Sequence, residues 1–528
     1  MLEEHKMQVQ QIEADDLSRI KAYLNIPYFM LENEVSSSRR GEIQDEFAEI
    51  AHYYDIYEQG AKFITEGSNG DYIPSNLHFK KAAMLLNKEA RFCFAHPPTF
   101  SVNKDDVDTQ YREQNAILQS FLEKVLDKTN FNGKVLKALK DCFIGKRIAI
   151  VVNFTDKISL TFLNSLEFIY ETSGNGEDGN ELTKFLTFYK INDADNVLDQ
   201  LWFKKKYTKE DGEVYLLEEI YSGDGKLVEV VTEKTKIAFD FIPATVVLND
   251  GLLGDFKGES ELRDLIDYEG YYSKLANIDM DSERRTMNPI KYAIDATQES
   301  TRNLPTGPGS FWDIQSDDEK SVERSAKVGT LEADMNYSVP LKTTLQRIEN
   351  EMYSVLDVPN LSSDLLKGIM TSGKTIKALY WGLTVRGDEK MLAWSYGLEF
   401  IAMVIIEGAK LYPASIKRYT YVDKLPDIPY TISVENNYPL PDDVNEEKTM
   451  DIAEVESKVM SRKTYLKKWR GLNDNEADEE LRQIKYENEL LDDSYLATMY
   501  NSEDKGIEVS YEDPTKKASP QGNDKHNI

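Results

Sequence analysis

The stretch ESELRDLIDYEGYYSKLANIDMDSERRTMNP at residues 259–289 contains no proline before its last residue. It can therefore form one long helix, and this helix decides the fold. Such a stretch is long enough for about 45 Å of helix at 1.5 Å per residue, and Pro289 ends it. A second helix is predicted at Pro340–Leu356, where apolar residues recur at intervals of four and three. They form one stripe along that helix: Leu341, Leu345, Ile348, Met352 and Val355.

A short insertion of different texture separates these two helices. It contains the tight loop NLPTGPGS at residues 303–310 and three strand candidates. The pattern by itself favours two ordinary core helices joined by a β excursion, and the alternative is a hairpin with an exposed tip. The predicted strands are Ile290–Ile294, Phe311–Ile314 and Ser325–Glu332.

On the N-terminal side, the sequence changes its period once. The first ~145 residues have the apolar spacing of helices. From Lys146 to Leu248, β-branched and aromatic residues dominate, and Asp211-Gly212 and Asp224-Gly225 are turn signals between strands. The predicted strands are Arg147–Phe154, Leu160–Tyr170, Lys184–Ile191, Leu201–Tyr207, Val214–Tyr221, Leu227–Thr235 and Phe241–Leu248.

On the C-terminal side, Lys374–Leu411 is predicted to be one long helix, with glycines that allow a bend. Leu425–Val434 has strand character, and the polar residues after about Asp504 are predicted to form a disordered tail. Helices and β-rich segments in separate blocks indicate an α+β fold. The glycines are Gly382, Gly387, Gly397 and Gly408, and the last predicted helices are Glu446–Met460, Thr464–Trp469 and Glu476–Leu491.

The composition excludes several classes of protein. The 528 residues include 63 Lys or Arg and 93 Asp or Glu, for a net charge of −30. This charge argues against a protein that wraps DNA tightly or adheres to an anionic membrane, but not against one past which DNA slides. The two cysteines, Cys93 and Cys142, exclude a disulfide framework. With no signal peptide and no membrane-spanning run in the sequence, we expect a cytoplasmic protein.

The sharpest motif match is GIMTSGKT at Gly368–Thr375, which fits the spacing GxxxxGK[ST] of a phosphate-binding loop. In such a loop, Lys374 would contact the β and γ phosphate oxygens and Thr375 would bind magnesium. The motif requires a buried strand before the loop, and NLSSDLLK at residues 360–367 lacks a β-branched run. We therefore interpret the segment as a loop before a helix, and an ATPase remains the alternative.

No other motif in the sequence predicts an active site or a metal ion. None of the five histidines lies in an HExxH motif, and the acidic cluster at residues 474–480 lacks the glycine and glutamate of a calcium-binding loop. A basic cluster either contacts nucleic acid or, as we favour, pairs with the acidic helix that begins near Asp474. Its members are Arg462, Lys463, Lys467, Lys468 and Arg470.

The ordered segments together resemble the portal proteins of tailed bacteriophages, in particular those of long-tailed phages that infect Gram-positive bacteria. FIPATVVLNDGLLGDFKGESELRDLID at residues 241–267 is similar to the portal pattern IPxxxxN…GxSxLxxLID. TSGKTIKA at residues 371–378 resembles the portal pattern SGxA[IL][KR], although Thr375 replaces its alanine. The resemblance therefore accounts for Ser372 and Gly373 without a nucleotide.

Three further segments resemble portal sequences. They are AAMLLNKEARFCFAHPPTF at residues 82–100, LDVP at residues 356–359 and MSRKT at residues 460–464. In the first of them, HPP at residues 96–98 departs from the glycine-containing turn of the family. The resemblance covers about residues 45–490, and the order of the segments is more specific than any one of them.

The resemblance implies an α+β, portal-type fold with an α/β wing, a two-helix stem, a β-containing clip, a long wing helix and a helical C-terminal crown. The implied parts are the wing at 1–254 (β-rich at 146–248), stem helix 1 at 255–288, the clip at 289–337, stem helix 2 at 338–357, the tunnel loop at 358–373, the long wing helix at 374–411, the wing return strand and loop at 412–444, the crown at 445–503 and a disordered tail at 504–528.

The resemblance further implies a non-enzymatic ring, typically of twelve subunits, at one capsid vertex of the virion, assembled in the host cytoplasm. The implied partners are double-stranded DNA held weakly in the channel, the terminase large subunit, head-completion or adaptor and tail proteins, and the major capsid and scaffolding proteins. No cofactor, metal ion or membrane is implied.

The implied DNA-facing residues are Ser362, Ser363, Asp364, Leu365, Leu366, Lys367, Gly368, Ile369, Met370 and Thr371. The implied partner contacts of the clip are Arg302, Asn303, Asp313, Asp317, Asp318 and Glu319.

The acidic composition agrees physically with a channel that passes every DNA sequence. Each phosphate that a protein neutralises strengthens DNA binding, so a channel wall should not hold phosphates tightly. Twelve copies of a chain with charge −30 would carry roughly −360, which repels DNA from the walls. Two alternatives remain at this point: an ATPase built on Gly368–Thr375, and an acidic adaptor or scaffold that never forms rings.

Overall fold

The computed structural model describes sixteen stretches of the chain, which form two compact units. The first unit comprises the described residues up to 361 and residues 375–440, and the second comprises residues 373–374 and 444–488. The described residues are 31–32, 34–63, 73–103, 111–173, 181–192, 196–251, 255–287, 290–301, 312, 314–316, 326–331, 335–361, 373–414, 416–440, 444–472 and 476–488.

The first unit begins with the helical region that the sequence predicts. Ser36 caps the first helix, because its Oγ accepts a hydrogen bond from the Arg39 amide at 3.3 Å. The buried faces of these helices form one core, in which Phe121, Phe131 and Phe143 are at most 1% exposed. The elements are α1 (Ser37–Gln59), α2 (Lys81–Phe94), β1 (Thr99–Val102), α3 (Arg112–Lys128) and α4 (Phe131–Gly145).

The β-rich region forms two antiparallel sheets. One has the strand order β3-β2-β9, and the other has the order β4-β5-β6-β7-β8. Consecutive strands of the larger sheet are neighbours, as short turns such as Asp211-Gly212 allow. The strands are β2 (Arg147–Phe154), β3 (Ile158–Asn164), β4 (Phe168–Thr172), β5 (Leu182–Lys190), β6 (Leu201–Glu210), β7 (Glu213–Ser222), β8 (Leu227–Lys236) and β9 (Ala244–Leu248).

The single strand predicted at Leu160–Tyr170 is wrong, because a turn divides it into β3 and β4. The Asn164 side chain accepts a hydrogen bond from the Leu166 amide at 3.0 Å, and its carbonyl accepts one from the Glu167 amide at 3.0 Å. Asparagine favours such turns because its side chain can replace a backbone partner. At this turn, the chain leaves the first sheet and enters the second.

The helix predicted from residue 259 begins later than expected, as α5 (Ile266–Met287). The preceding residues contact the body of the unit instead. The Glu259 amide donates to the Asn249 carbonyl at 2.7 Å, and the Glu261 amide donates to the Phe143 carbonyl at 2.9 Å. These contacts fix the path of residues 259–261 along the body of the unit, and the regular helix starts only after the turn at residues 261–265.

The insertion after α5 forms a small antiparallel pair of strands in which Tyr292 lies opposite Gly329. The helix that follows includes Pro340 in its first turn, where a missing amide costs little. Of the predicted strand Phe311–Ile314, Phe311 and Asp313 lie outside the described residues, and Trp312 and Ile314 are not in a strand. The elements are β10 (Ile290–Ile294), α6 (Gln298–Thr301), β11 (Lys327–Leu331) and α7 (Ser338–Val355).

The long helix predicted at Lys374–Leu411 is two helices, α8 (Gly373–Leu379) and α9 (Trp381–Leu411). They divide at Tyr380, whose ring stacks on Phe92 with centroids 5.6 Å apart. By length and composition α9 could span a membrane, but half of its most apolar window is buried inside the fold. It is therefore the core helix of the first unit.

Two glycines of α9 allow close packing rather than the bend that the sequence suggests. A Cβ atom at Gly408 would lie 2.0 Å from the Phe154 ring, and one at Gly397 would lie 2.7 Å from Val247. Both glycines thus bring α9 against the three-stranded sheet. Beyond α9, strand character is shorter than predicted, and β12 (Ile432–Glu435) pairs antiparallel with β1.

The second unit contains helices α10 (Val444–Glu456) and α11 (Arg462–Arg470) and a further helix at 476–488. Ser461 caps α11 by accepting a hydrogen bond from the Thr464 amide at 3.0 Å. The basic cluster pairs with acidic side chains, but only Lys463 pairs with the acidic helix that the favoured interpretation named, whereas Lys468 pairs with α10. Its ion pairs are Lys463 with Asp478 at 2.9 Å, and Lys468 with Glu447 at 2.8 Å and with Asp451 at 2.7 Å.

Candidate functional site

Helices α5 and α7 form the part of the first unit that its sequence singled out. They pack against each other, and α5 leads into the β10–β11 pair while α7 leads back from it. The contacts of these two helices with the rest of the unit therefore decide how firmly the helices and the β10–β11 pair are held.

An extended segment at residues 73–79 lies along one face of α5 and hydrogen-bonds to its side chains. Side chains four residues apart on a helix are separated by about 6.0 Å, and alternate residues of an extended chain by about 6.6 Å. The spacing of side chains along the helix and the spacing of alternate residues along the extended chain therefore match closely over three or four contacts. The contacts are Ser273 Oγ with the Phe79 amide (3.3 Å), Asn277 Oδ1 with the Leu77 amide (2.8 Å), Asn277 Nδ2 with the Leu77 carbonyl (2.8 Å), Asp281 Oδ1 with the Ser75 amide (2.9 Å) and Arg284 with the Ile73 carbonyl (3.0 Å).

Glu269 extends this row of contacts by one turn toward the start of α5. It is completely buried, and its carboxylate accepts a hydrogen bond from the Ala82 amide at 3.4 Å, in the first turn of α2. A helix N-terminus favours a carboxylate, because its first amides lack partners within the helix. Burial nevertheless dominates and raises the pKa of Glu269 to about 7. We name the row Glu269, Ser273, Asn277 and Asp281 the polar stripe of α5.

Helix α7 is held by the same helix, α2. Lys81 forms an ion pair with Glu349 at 2.8 Å, and the Lys88 ammonium donates to the Tyr353 hydroxyl at 3.0 Å. Met352, between these two contacts, is fully buried. Helix α2 thus supports both α5 and α7.

A buried cluster of charges fixes α9 to α2 and to the loop before α5. Arg386 contacts Glu89 at 2.7 Å and also Glu261, and Lys390 contacts Glu261 and, at 3.2 Å, Asp250. Glu89 is completely buried. Burial, together with the neighbouring Glu261, raises the pKa of Glu89 to about 8. Breaking one member of such a cluster leaves an unpaired buried charge, so the cluster strongly constrains the position of α9.

The functional residues predicted from the sequence all lie outside the part of the chain that the structure describes. These are the ten tunnel-loop residues Ser362 to Thr371, and the six clip residues Arg302, Asn303, Asp313, Asp317, Asp318 and Glu319. The structure describes the chain on both sides of each group. The tunnel-loop segment follows α7 and precedes α8, and the clip segments lie between α6 and β11.

Sequence reasoning missed both anchors described above. The polar stripe had a visible signal, because its residues recur every four positions within a helix. The charge cluster had none, because its members are isolated charges in a chain that contains 63 basic and 93 acidic residues.

Among the described residues, no strand lies between α7 and the phosphate-loop match. Residues 358–361, the last ones described before Gly368, are not in a strand, and Gly373 begins α8. Among the described residues, no group of three or more histidines, cysteines or carboxylates is placed to hold a metal ion. Both cysteines are buried, and burial raises the pKa of each thiol, which makes them unreactive.

Comparison with known proteins identifies the family. A search of curated proteins found no matching relative. The family described as "Phage portal protein, SPP1 Gp6-like" matches residues 40–491, which include most of the chain and nearly all of the described elements. This match confirms the resemblance that the ordered segments suggested, and it replaces the ATPase alternative with a structural, non-enzymatic role. The chain therefore belongs to the SPP1 Gp6-like phage portal proteins, ring-forming proteins at the capsid vertex of the virion through which DNA is packaged and ejected.

Proposed function

We propose that α5 and α7 are the stem of the portal, that the β10–β11 pair is the base of its clip, and that the remainder of the first unit is its wing. The observation that carries this assignment is the anchorage of both helices on α2 and on the segment before it, through the polar stripe of α5 and the Lys81–Glu349 pair. Two helices that are held along their length by residues 73–88 and that carry the β10–β11 pair between them suit a rigid channel wall whose clip binds exchanging partners. Residues 445–503 are then the crown.

We assign the contact with DNA to the tunnel-loop residues 362–371. Lys367 is the single basic residue of this segment and Asp364 its single acidic one, so the segment is neutral within a chain of charge −30. A neutral loop is neither repelled by DNA nor held to its phosphates. Ser362, Ser363, Ile369 and Met370 then make weak contacts that do not depend on the base sequence.

We assign the docking of partner proteins to the clip residues between α6 and β11. Four of the six are carboxylates, at positions 313 and 317–319, and they present negative charge to a basic partner surface. The terminase large subunit would bind this surface during packaging and a head-completion protein afterwards. Replacement of one partner by the other requires that neither binds too tightly.

We further propose a ring of twelve subunits. Twelve chains of 60.5 kDa give a particle of roughly 730 kDa, which a native mass measurement with negative-stain images would detect. A ring of thirteen would support the same function, because a ring assembled without a capsid need not keep the native number. A chain that stays monomeric even with its scaffolding protein would contradict the proposal and favour an adaptor.

The tunnel-loop assignment is tested by deletion of residues 364–370. We expect empty capsids that carry this portal to protect much less DNA from nuclease than wild-type capsids, while the ring still assembles. Deletion of seven residues from the C-terminal tail, 514–520, is the matched control and should leave packaging unchanged. Normal packaging without residues 364–370 would overturn the assignment.

A further inference from the structure

Ring formation by this family places a demand on the surface of each subunit. Neighbours in a ring meet head to tail, so each copy needs two different surfaces that complement each other. Each copy also carries a charge of −30, so neighbours repel one another wherever their charged surfaces face. Two apolar, charge-poor surfaces on opposite sides of the subunit would meet both demands.

Strand β8 carries the first such surface. It is the outer strand of the five-stranded sheet, and no strand pairs with its second edge among the described residues. An exposed apolar edge strand is a site where another chain can pair, and soluble proteins usually protect it with lysines. In β8, Lys226 directly precedes the strand, Glu229 is the one charged residue at positions 227–231, Lys234 and Lys236 stand at the far end, and the pairing with β7 has register shifts. Four of the five residues at 227–231 are nevertheless apolar and exposed. The apolar residues are Leu227, Val228, Val230 and Val231, which are 50%, 56%, 42% and 47% exposed. We name residues 227–231 the β8 strip.

A groove of about 780 Å³ between β9 and α9 is the second surface. Leu392 and Tyr396 are 76% and 59% exposed on its α9 side, and Phe400 is half-buried beside them. Glu181 is the one charged residue among the described residues that line it, although charged residues make up 30% of the chain. Its other wall, β9, is an edge strand of the three-stranded sheet. We name this feature the β9–α9 groove.

The two surfaces lie at opposite edges of the larger sheet. The groove is lined by Tyr170 and Thr172 of β4, and β4 and β8 are the first and last strands of the order β4-β5-β6-β7-β8. Four strand spacings separate them, which is roughly 19 Å. The larger sheet therefore has an apolar strand at one edge and an apolar groove beside the other, and these are two different surfaces, as a head-to-tail contact requires.

We propose that the β8 strip of one subunit docks in the β9–α9 groove of the next copy in the ring. The apolar side chains on one face of the strip, Val230 among them, pack on Leu392, Tyr396 and Phe400, and the backbone of the strip adds to the edge of β9. This contact rests on ring formation, and it is independent of the stem, tunnel-loop and clip assignments.

Disulfide trapping tests the contact directly. Two differently tagged chains, one with Val230→Cys and one with Leu392→Cys, are co-expressed, assembled and oxidised. Both native cysteines are buried, so they contribute little background. We expect a disulfide between the two tags. The matched control pairs Val230→Cys with Tyr421→Cys, a fully exposed residue outside both surfaces, and should give no such product.

Two results of the trapping experiment would overturn the proposal. One is the absence of a disulfide between the tags in assembled rings. The other is a single chain carrying both V230C and L392C that closes its disulfide internally, because the chain itself would then fill the groove.

Charge substitution tests the same contact through assembly. V230D and L392D should each lower the fraction of ring at least tenfold with unchanged circular dichroism, while the control Y421D should assemble normally. Combining V230D with L392K in one chain should restore the ring, because the two charges then meet across each interface. Normal rings in both single variants would overturn the proposal, whereas failure of the wild type to form rings would instead contradict the ring itself.

Discussion

Helices α5 and α9 are both fixed with the help of α2, but through different chemistry. The polar stripe of α5 binds backbone amides and a carbonyl of residues 73–79, whereas Arg386 and Lys390 of α9 bind carboxylate side chains. Every residue of an extended chain offers a backbone amide and a carbonyl. The contacts of α5 therefore depend on how residues 73–79 are aligned with the helix more than on which side chains these residues carry. The anchor of α9 depends entirely on which side chains meet.

This difference suggests that α5 and α9 are held in place by contacts of different strength. A hydrogen bond between a neutral side chain such as Asn277 and a backbone group is worth about 1 kcal/mol, and several such bonds together position a helix. Buried ion pairs add little net stability, but losing one partner is severe, because the remaining charge cannot be hydrated. We therefore expect α9 to respond to single substitutions much more strongly than α5.

The largest expected effect is on the α9 anchor. Arg386→Met removes the cation that Glu89 and Glu261 share, and above pH 8, where Glu89 is ionised, we expect a loss of about 3–5 kcal/mol in the free energy of unfolding. Urea unfolding followed by tryptophan fluorescence measures it, since Trp394 of α9 is buried. The control Lys226→Met breaks an exposed ion pair with Asp224 and should cost less than about 1 kcal/mol. Equal losses of unfolding free energy in both variants would contradict the expected difference between a buried and an exposed ion pair.

The second effect concerns pH and the carboxyl group at the base of α5. The pKa of Glu269 is about 7 in the folded chain against an ordinary value of 4.5, so the folded state binds more protons between these values. Its contribution to stability is therefore fully present below pH 4.5 and decreases as the pH rises to about 7, by roughly 3 kcal/mol in all.

Glu269→Gln removes this titration and tests it. The stability of the wild type relative to the variant should fall between pH 4.5 and 7 and be constant above pH 7. Glu89, whose pKa is raised in the same direction, is present in both proteins and cancels in the difference. The control Asp224→Asn should leave the slope unchanged, because the pKa of Asp224 is about 2. Parallel pH profiles for wild type and E269Q would contradict the burial of an ionisable group at this position.

The smallest effect is on the polar stripe. Asn277→Ala removes two hydrogen bonds to Leu77, and we expect a loss of about 1–3 kcal/mol together with faster hydrogen exchange of the Leu77 amide. Lys274→Ala, on the exposed face of the same helix, is the control and should change neither measurement. An unchanged exchange rate in N277A would mean that the segment at 73–79 is held by something other than the stripe.

Most elements could be predicted from local signals in the sequence. The apolar stripe of α7 and the prolines around it predicted that helix to within two residues at each end. One prediction failed for a local reason, since the turn at Asn164 divides the strand predicted at Leu160–Tyr170, and others failed at boundaries set by distant contacts. Helix α5 starts late because Glu259 and Glu261 bond to residues far along the chain, and the break at Tyr380 accompanies its contact with Phe92.

The functional residues depended on a different kind of information. No composition or periodicity pointed to the tunnel loop or the clip, and the resemblance to portal proteins alone proposed them. The two candidate interface surfaces could not be read from the sequence, because exposure of Val230 or Leu392 depends on which strand and helix faces the fold leaves uncovered.

The sequence by itself therefore determined the order and type of the elements and the family, because helix period, strand alternation, proline and turn residues act over a few positions. Only the tertiary structure decided which side chains meet. Asn277 pairs with a backbone 200 residues away, and Arg386 with a carboxylate 297 residues away. Among the 93 acidic residues of the chain, no local rule selects Glu89, because burial and distance exist only once the chain has folded.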